Sequence, residues 1–191
     1  MESLEAWIQA VVEAPGLTAL DLPAAREILL ADALRGVPLL AGLEGPLVDV
    51  GSGNGSPGIP VAATLPRLEV VLLDAERRKC DFLETWAPAN ARVTWGRVED
   101  QPTDWAGIAL AKALAPPPVA AEWCLPLVRP GGTVVLWIGK SADTAGIAHV
   151  ARLLAAEPIE CPPGFAMLRK LGPTPPGFPR RTGVARKRPL A

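Results

Sequence analysis

The residues best suited to chemistry lie in one run, Leu47-Val48-Asp49-Val50-Gly51-Ser52-Gly53-Asn54-Gly55-Ser56-Pro57-Gly58-Ile59-Pro60. A short apolar segment runs into glycines at alternate positions, and Pro57 then opens a helix. Glycines allow a tight turn with exposed backbone amides, and a helix N-terminus adds partial positive charge. A carboxylate or phosphate is expected to lie across this loop. Residues 53–58 formally satisfy GxGxxG, and Asp74, at the end of the next apolar run, is placed to bind ribose hydroxyls as in a nicotinamide site. Two acids argue for S-adenosylmethionine instead: Asp49, just before Gly51, and Glu99 in Gly96-Arg97-Val98-Glu99-Asp100. Acids close to the loop repel a pyrophosphate but not a sulfonium or an ammonium.

Lys112 is the sole charge in Ile108-Ala109-Leu110-Ala111-Lys112-Ala113-Leu114, at the C-terminal end of a strand, where doubly wound sheets place their ligands. A snorkelling lysine is the alternative. Other chemistry is poorly supplied. Cys80, Cys124 and Cys161 are odd in number and far apart with no CxxC, so neither a disulfide framework nor a metal cluster is expected. Cys124 reads as packing and the single histidine, His149, as a surface residue. An exocyclic-amine methyltransferase is expected to carry Asn/Asp-Pro-Pro-aromatic after its fourth strand, where this chain has Lys112-Ala113-Leu114.

The elements that position these residues follow from periodicity. Ser3 is a candidate cap for a helix with the apolar stripe Leu4, Trp7, Ile8, Val11 and Val12, ended by Pro15-Gly16. Asp21, with Pro23 in the first turn, caps a second helix that stops at Gly36. Apolar runs at 47–50, 70–73, 93–95, 108–110 and 134–138 then alternate with candidate helices at 57–65, 76–87, 117–128 and 144–156. This predicts a doubly wound α/β fold, a mostly parallel sheet with helices on both faces. Residues 159–161 and 165–171, joined by Pro162-Pro163-Gly164, read as a C-terminal antiparallel hairpin. The expected division is an N-terminal helical segment 1–44 packed on the core, a core 45–171, and a Pro-rich, extended and partly mobile tail 172–191.

The 191 residues carry a net charge of −1, but unevenly. Residues 1–160 hold 12 Lys and Arg against all 20 Asp and Glu, a balance of −8, while residues 161–191 hold seven basic groups and no acid. A basic tail on an acidic body suits a polyanion partner, although solvated basic termini also occur. No apolar run approaches the roughly 20 residues of a membrane span, and the acidic start Met-Glu-Ser-Leu-Glu is unlike an export signal, so a cytoplasmic protein is expected. The six tryptophans fall at scattered apolar positions and read as core or interface.

Residues 49–60 resemble the D-[IV]-G-[ST]-G-x-G-x-P-G-[IL]-P signature of the ribosomal RNA small subunit methyltransferase G family, the glucose-inhibited division protein B type. Further matches follow in order. Residues 73–83 are similar to L-[VI]-D-S-x-x-K-[RK]-x-x-F-L, Gly96-Arg97-Val98-Glu99 to G-R-[AV]-E, and residues 127–132 to L-[LV]-K-P-G-G. Phe178-Pro179-Arg180-Arg181-Thr182-Gly183 with Lys187-Arg188-Pro189-Leu190 resembles Y-P-R-x-x-G…K-x-P-L, and Gly16-Leu17-Thr18-Ala19 resembles N-L-T-A. The chain departs from the pattern where Ile28-Leu29 replaces an Arg-His pair, Lys112 an arginine, Ser56 a bulky apolar residue, and Ile138-Gly139-Lys140 an L-K-G order.

The resemblance implies a Rossmann-like class I fold and S-adenosylmethionine-dependent methylation of guanine N7 in 16S ribosomal RNA. It places Gly51, Ser52, Gly53, Gly55, Ser56, Asp74, Val98, Glu99 and Lys112 at the cofactor, with Lys112 also catalytic. Lys140, Arg180, Arg181, Arg186, Lys187 and Arg188 become candidate RNA contacts, Phe178 a stacking residue or a tail anchor, and the partner 16S ribosomal RNA or the small subunit. A monomer is expected. Two other readings stay open: a related methyltransferase with another RNA or a small-molecule substrate, and a non-catalytic S-adenosylmethionine or ribosomal RNA binder.

Overall fold

The computed structural model describes residues 2–191. Strands β1 (Leu47–Val50), β2 (Val70–Asp74), β3 (Ala91–Trp95), β4 (Ala106–Lys112) and β5 (Val128–Trp137) are parallel. An antiparallel hairpin of β6 (Ala156–Ile159) and β7 (Phe165–Lys170) completes the sheet, in the order β3-β2-β1-β4-β5-β7-β6. Within β4, Ile108 and Leu110 enter the core on one face while Ala109 and Ala111 enter the other. Both faces are covered, which is why the central strands read as unbroken apolar runs. Helices α1 (Glu2–Glu13), α5 (Gly58–Thr64) and α6 (Arg77–Trp86) cover one face, and α7 (Pro117–Cys124) and α8 (Thr144–Leu153) the other.

The N-terminal stripe is buried at Trp7, Ile8 and Val11 as its spacing predicts. Ser3 lies inside the first turn of α1 rather than capping it. Asp21 does cap, its carboxylate accepting from the Ala24 amide at 2.9 Å. The helix that follows is not uniform: α2 (Leu22–Ala25) widens into a π-helical stretch, Arg26–Ala31, before α3 (Asp32–Leu34) and a short α4 (Val37–Leu40).

Three further boundaries differ from expectation for local reasons. β5 begins at Val128, which pairs with Ala106, and residues 129–132 bulge out before Thr133 pairs with Ile108. Helix α8 ends at Leu153 because Ala155 takes a left-handed conformation, φ 54°, and its carbonyl accepts from Leu171 and Gly172 as β6 begins. β6 therefore lies earlier than 159–161, and residues 160–164 form the turn. Among the described residues no helix is long and apolar enough to cross a membrane.

The tail is docked. The Lys170 ammonium is buried, donating to the Leu125 carbonyl and the Thr174 hydroxyl, each at 2.8 Å, while Asp104 accepts from the Thr174 amide and hydroxyl. Phe178 and Leu190 pack on the core, so Phe178 anchors the tail, and α9 (Val184–Lys187) buries Ala185 against Val119 and Trp123.

Trp7 is the largest side chain that fastens the N-terminal helices, and its indole donates to the Asn54 carbonyl at 3.0 Å. Trp7→Ala is expected to cost about 3–5 kcal/mol and Trp7→Phe nearer ~1 kcal/mol, read from urea denaturation midpoints.

Candidate active site

The order of strands reverses at β1 and β4, and the crevice beyond their C-terminal ends holds a cavity of about 640 Å³. Doubly wound sheets bind ligands at this switch point, and the volume is in the range of small-molecule sites. The loop after β1 lines it with Gly51, Ser52, Gly53, Asn54 and Ser56. Gly51 has φ +70°, and a Cβ there would lie 2.3 Å from Cδ1 of Leu114, which follows β4. Only glycine meets both demands. Asp74, at the end of β2, accepts from the Gly53 amide at 2.9 Å through Oδ2 and from the Glu76 amide at 2.8 Å through Oδ1. One carboxylate thus ties the loop after β1 to the loop after β2 while facing the cavity.

Two loop residues face elsewhere. Gly55 does not line the cavity: its φ is +102°, and a Cβ would meet Ile59 at 2.5 Å and the Trp7 indole nitrogen at 3.1 Å, so its place is with the packing of α1. Asp49 is buried beneath the loop, with Oδ2 accepting from the Gly58 amide at 3.1 Å and Oδ1 without a protein partner among the described residues. Burial raises its carboxyl from an ordinary 3.8 to about 7, against the opposing pull of the Gly58 amide. Asp49 therefore serves the start of α5 rather than contacting the cavity directly, unlike the cofactor-facing role its position in the sequence suggested.

Lys112 ends β4 with its side chain 9% exposed. Its ammonium donates to the Ile28 carbonyl at 2.7 Å and lies 3.7 Å from Asp32. Burial lowers its pKa, opposed by Asp32. The neighbouring Leu29 carbonyl accepts from the Ser56 hydroxyl at 2.7 Å. Both acceptors belong to the π-helical stretch, so the widened turn hands two backbone carbonyls to site residues. Leu29, which stands at the histidine position of the motif quoted above, forms part of the cavity wall.

Val98 and Glu99 reach the cavity from the short 3₁₀ turn after β3. Glu99 accepts from the Gly183 amide of the tail at 3.1 Å. The tail is locked beside this point by Arg180, whose Nε and Nη2 lie 2.5 and 2.6 Å from the two oxygens of the buried Glu122. Arg180 is thus a fork on a carboxylate within the protein, not an open phosphate contact. Lys140, Arg181 and Lys187 are exposed and lie outside the cavity. Arg186 does line it, its guanidinium stacked 5.1 Å from the Trp123 ring. Cys124 is buried, which pushes its thiol pKa far up and suits packing, and His149 is exposed on α8.

Sequence reasoning missed several lining residues: Gly16 and Leu17 from the loop after α1, Arg97 after β3, and Gly183 from the tail, while Arg186, expected as a phosphate contact, lines the cavity instead. Each sits in or beside a motif quoted above, but only folding brings both chain ends to the same crevice. Trp95 is the exception among the tryptophans, 60% exposed beneath the Arg77 guanidinium.

The lining combines the bare glycine loop on one side, the carboxylates of Asp74, Glu76 and Glu99, and the basic side chains of Lys79, Arg97, Lys112 and Arg186. Solved structures agree on the fold. The chain matches a TehB-like SAM-dependent methyltransferase from Corynebacterium glutamicum with TM-score 0.59 at 18% identity, covering 78% of this chain and 92% of that one. It matches a putative S-adenosyl-L-methionine-dependent methyltransferase from Methanococcus maripaludis with TM-score 0.56 at 15% identity, covering 90% and 94%. Sheet order, switch-point cavity and these likenesses define the fold of the class I S-adenosylmethionine-dependent methyltransferases. Residues 3–156 match the family described as rRNA small subunit methyltransferase G. A relative of that name from Synechococcus elongatus is 34% identical over 187 residues, spanning 84% of this chain and 76% of its own. The chain belongs to the rRNA small subunit methyltransferase G family.

Two measurements test this geometry. Folded Asp49 stays protonated up to about pH 7 while its unfolded form ionises near 3.8, so its contribution to stability falls as pH rises from about 4 to about 7 and is constant once both forms are ionised. Asp49→Asn keeps an acceptor for Gly58, and its melting temperature relative to wild type is expected to climb across that window and level off above it. Arg180→Ala leaves the Glu122 carboxylate buried without its partner. Amides of α9 are then expected to exchange with deuterium much faster, while those of β1 and β4 keep their protection.

Proposed function

We propose that the chain methylates guanine N7 in 16S ribosomal RNA, as a cytoplasmic monomer acting on the small ribosomal subunit or its RNA. The name of its relatives specifies small-subunit ribosomal RNA, and the observation that carries the reaction type is the bonding of the cavity's acids. Asp74 accepts from two backbone amides and Glu99 from a third, Glu76 pairs with Lys79 at 2.9 Å, and no histidine lines the wall among the described residues. S-adenosylmethionine supplies an electrophilic methyl on a sulfonium, and guanine N7 offers a lone pair without a proton, so in-line displacement needs no general base.

The chain's own residues then bind and orient. Asp74 is positioned for ribose hydroxyls, the loop at Gly51 and Gly53, bare of side chains, for close approach of the carboxylate end, and Val98 and Glu99 for the adenine side. Lys112 holds a positive charge at the reacting end and, through Ile28, keeps the N-terminal helices closed over it. Arg181 and Lys187, exposed on the tail, and Lys140 after β5 are the RNA phosphate contacts in this reading; Arg180 acts by holding that tail in place.

Transfer of tritiated methyl groups to unmethylated small subunits and to their purified RNA tests the proposal; incorporation into neither would overturn it. Lys112→Ala is expected to lower turnover by about 100-fold or more, with the circular dichroism spectrum unchanged and S-adenosylhomocysteine affinity, by calorimetry, altered only a few-fold. Near-normal turnover of that variant would remove Lys112 from the mechanism. Arg181→Ala and Lys187→Ala are each expected to reduce the slope of log affinity for RNA against log salt by about 1.

A further inference from the structure

A second cavity, of about 830 Å³, opens beside the first and shares Leu114 and Arg186 with it. Its walls are the prolines that start α7, residues 139 and 141–143 after β5, and the end of the tail. Two charged side chains reach it. Arg186 stands at the shared boundary, its guanidinium stacked on Trp123 with Nη2 3.4 Å from the Leu114 carbonyl. Asp143 borders the second cavity alone. Its Oδ1 accepts from the Gly146 amide at 2.8 Å, and its Oδ2 has no partner among the described residues.

We infer that this second cavity holds the target base, turned out of the RNA, and that Arg186 and Asp143 together select guanine over adenine. The orientation rests on the N7 reading above. Guanine carries N7 and the O6 acceptor on one edge and the N1–H and N2–H₂ donors on another. With N7 toward the first cavity, O6 falls beside the boundary, where Arg186 has only donors to offer. The N1–H and N2–H₂ donors then face away from the cofactor, toward the free oxygen of Asp143. Adenine in the same pose reverses both contacts, setting its amino group against Arg186 and its N1 lone pair against the carboxylate. An enzyme acting on a paired or stacked base needs such a pocket to receive it, and flat apolar walls with a few polar groups are what hold a flipped base. The prolines 116–118 provide those walls.

Saturation-transfer NMR on the full chain with S-adenosylhomocysteine, using guanosine and adenosine monophosphates as probes, tests this directly. Guanosine monophosphate is expected to bind about tenfold or more tightly than adenosine monophosphate. Asp143→Asn keeps a good cap for α8 but turns the free oxygen into a donor. It is expected to bring the two affinities within about twofold of each other while cofactor-product affinity and melting temperature stay unchanged. Should the amide perturb the helix, Asp143→Ser caps without a carboxylate and is expected to give the same loss. Equal binding of the two nucleotides by wild type, or a preference that survives both substitutions, overturns the inference. A wild type that prefers guanosine monophosphate yet leaves N7 of 16S ribosomal RNA unmethylated supports the pocket and refutes the proposed reaction.

Discussion

Leu114 rests against the bare backbone of Gly51 where β1 and β4 part, and the site is organised around that contact. A Cβ at Gly51 would stand 2.3 Å from Leu114, so the loop after β1 and the turn after β4 hold each other in place. The turn itself is strained. Ala113 between Lys112 and Leu114 has φ 55°, a left-handed conformation that costs of order 1 kcal/mol or more for a residue with a Cβ. It persists because both neighbours are fixed, Lys112 by the Ile28 carbonyl and Leu114 by Gly51. The same turn separates the two cavities, so in the proposed arrangement its conformation sets where methyl donor and acceptor base meet.

Both ends of the chain close over this centre. From the N-terminal side, Trp7, Leu29 and Ile28 engage Asn54, Ser56 and Lys112 respectively, in each case through a backbone carbonyl and a side-chain donor. From the C-terminal side, Arg180 locks onto Glu122, Gly183 onto Glu99 and Arg186 onto Trp123. The uneven charge of the chain resolves accordingly. Of the seven basic residues after position 160, Lys170 and Arg180 are spent inside the protein, Arg169 donates to the Gly131 carbonyl, and Arg186 is stacked at the cavity. Arg181, Lys187 and Arg188 are left exposed, and the tail is a fitted part of the body that presents a short basic surface.

Much of the architecture is legible without coordinates because local signals and burial agree. The glycine run before Pro57, the alternation of short apolar segments with helical periods, and Asp21 as a cap each correspond to an observed element. The π-helical stretch is not legible, since the donors that its carbonyls meet, from Ser56 and Lys112, are distant in sequence. Nor is the orientation of a residue within a loop. Gly51 and Gly55 look alike in the sequence, yet one lies against Leu114 and the other against Trp7 and Ile59. Asp49 similarly stands in an active-site motif while its carboxylate serves a helix start. Arg180 and Arg181 are adjacent and of one type, and only the position of Glu122 separates an internal anchor from an exposed cation.

The central claim is that this crevice transfers a methyl group to N7 of a guanine in small-subunit ribosomal RNA. Borohydride reduction followed by aniline cleavage breaks RNA at N7-methylguanosine, and applied to 16S ribosomal RNA from a strain lacking the gene it asks the question directly. The account predicts that one cleavage present in the parent strain is absent from the deletion strain and returns when the wild-type chain is restored. An unchanged cleavage pattern in the deletion strain would contradict it.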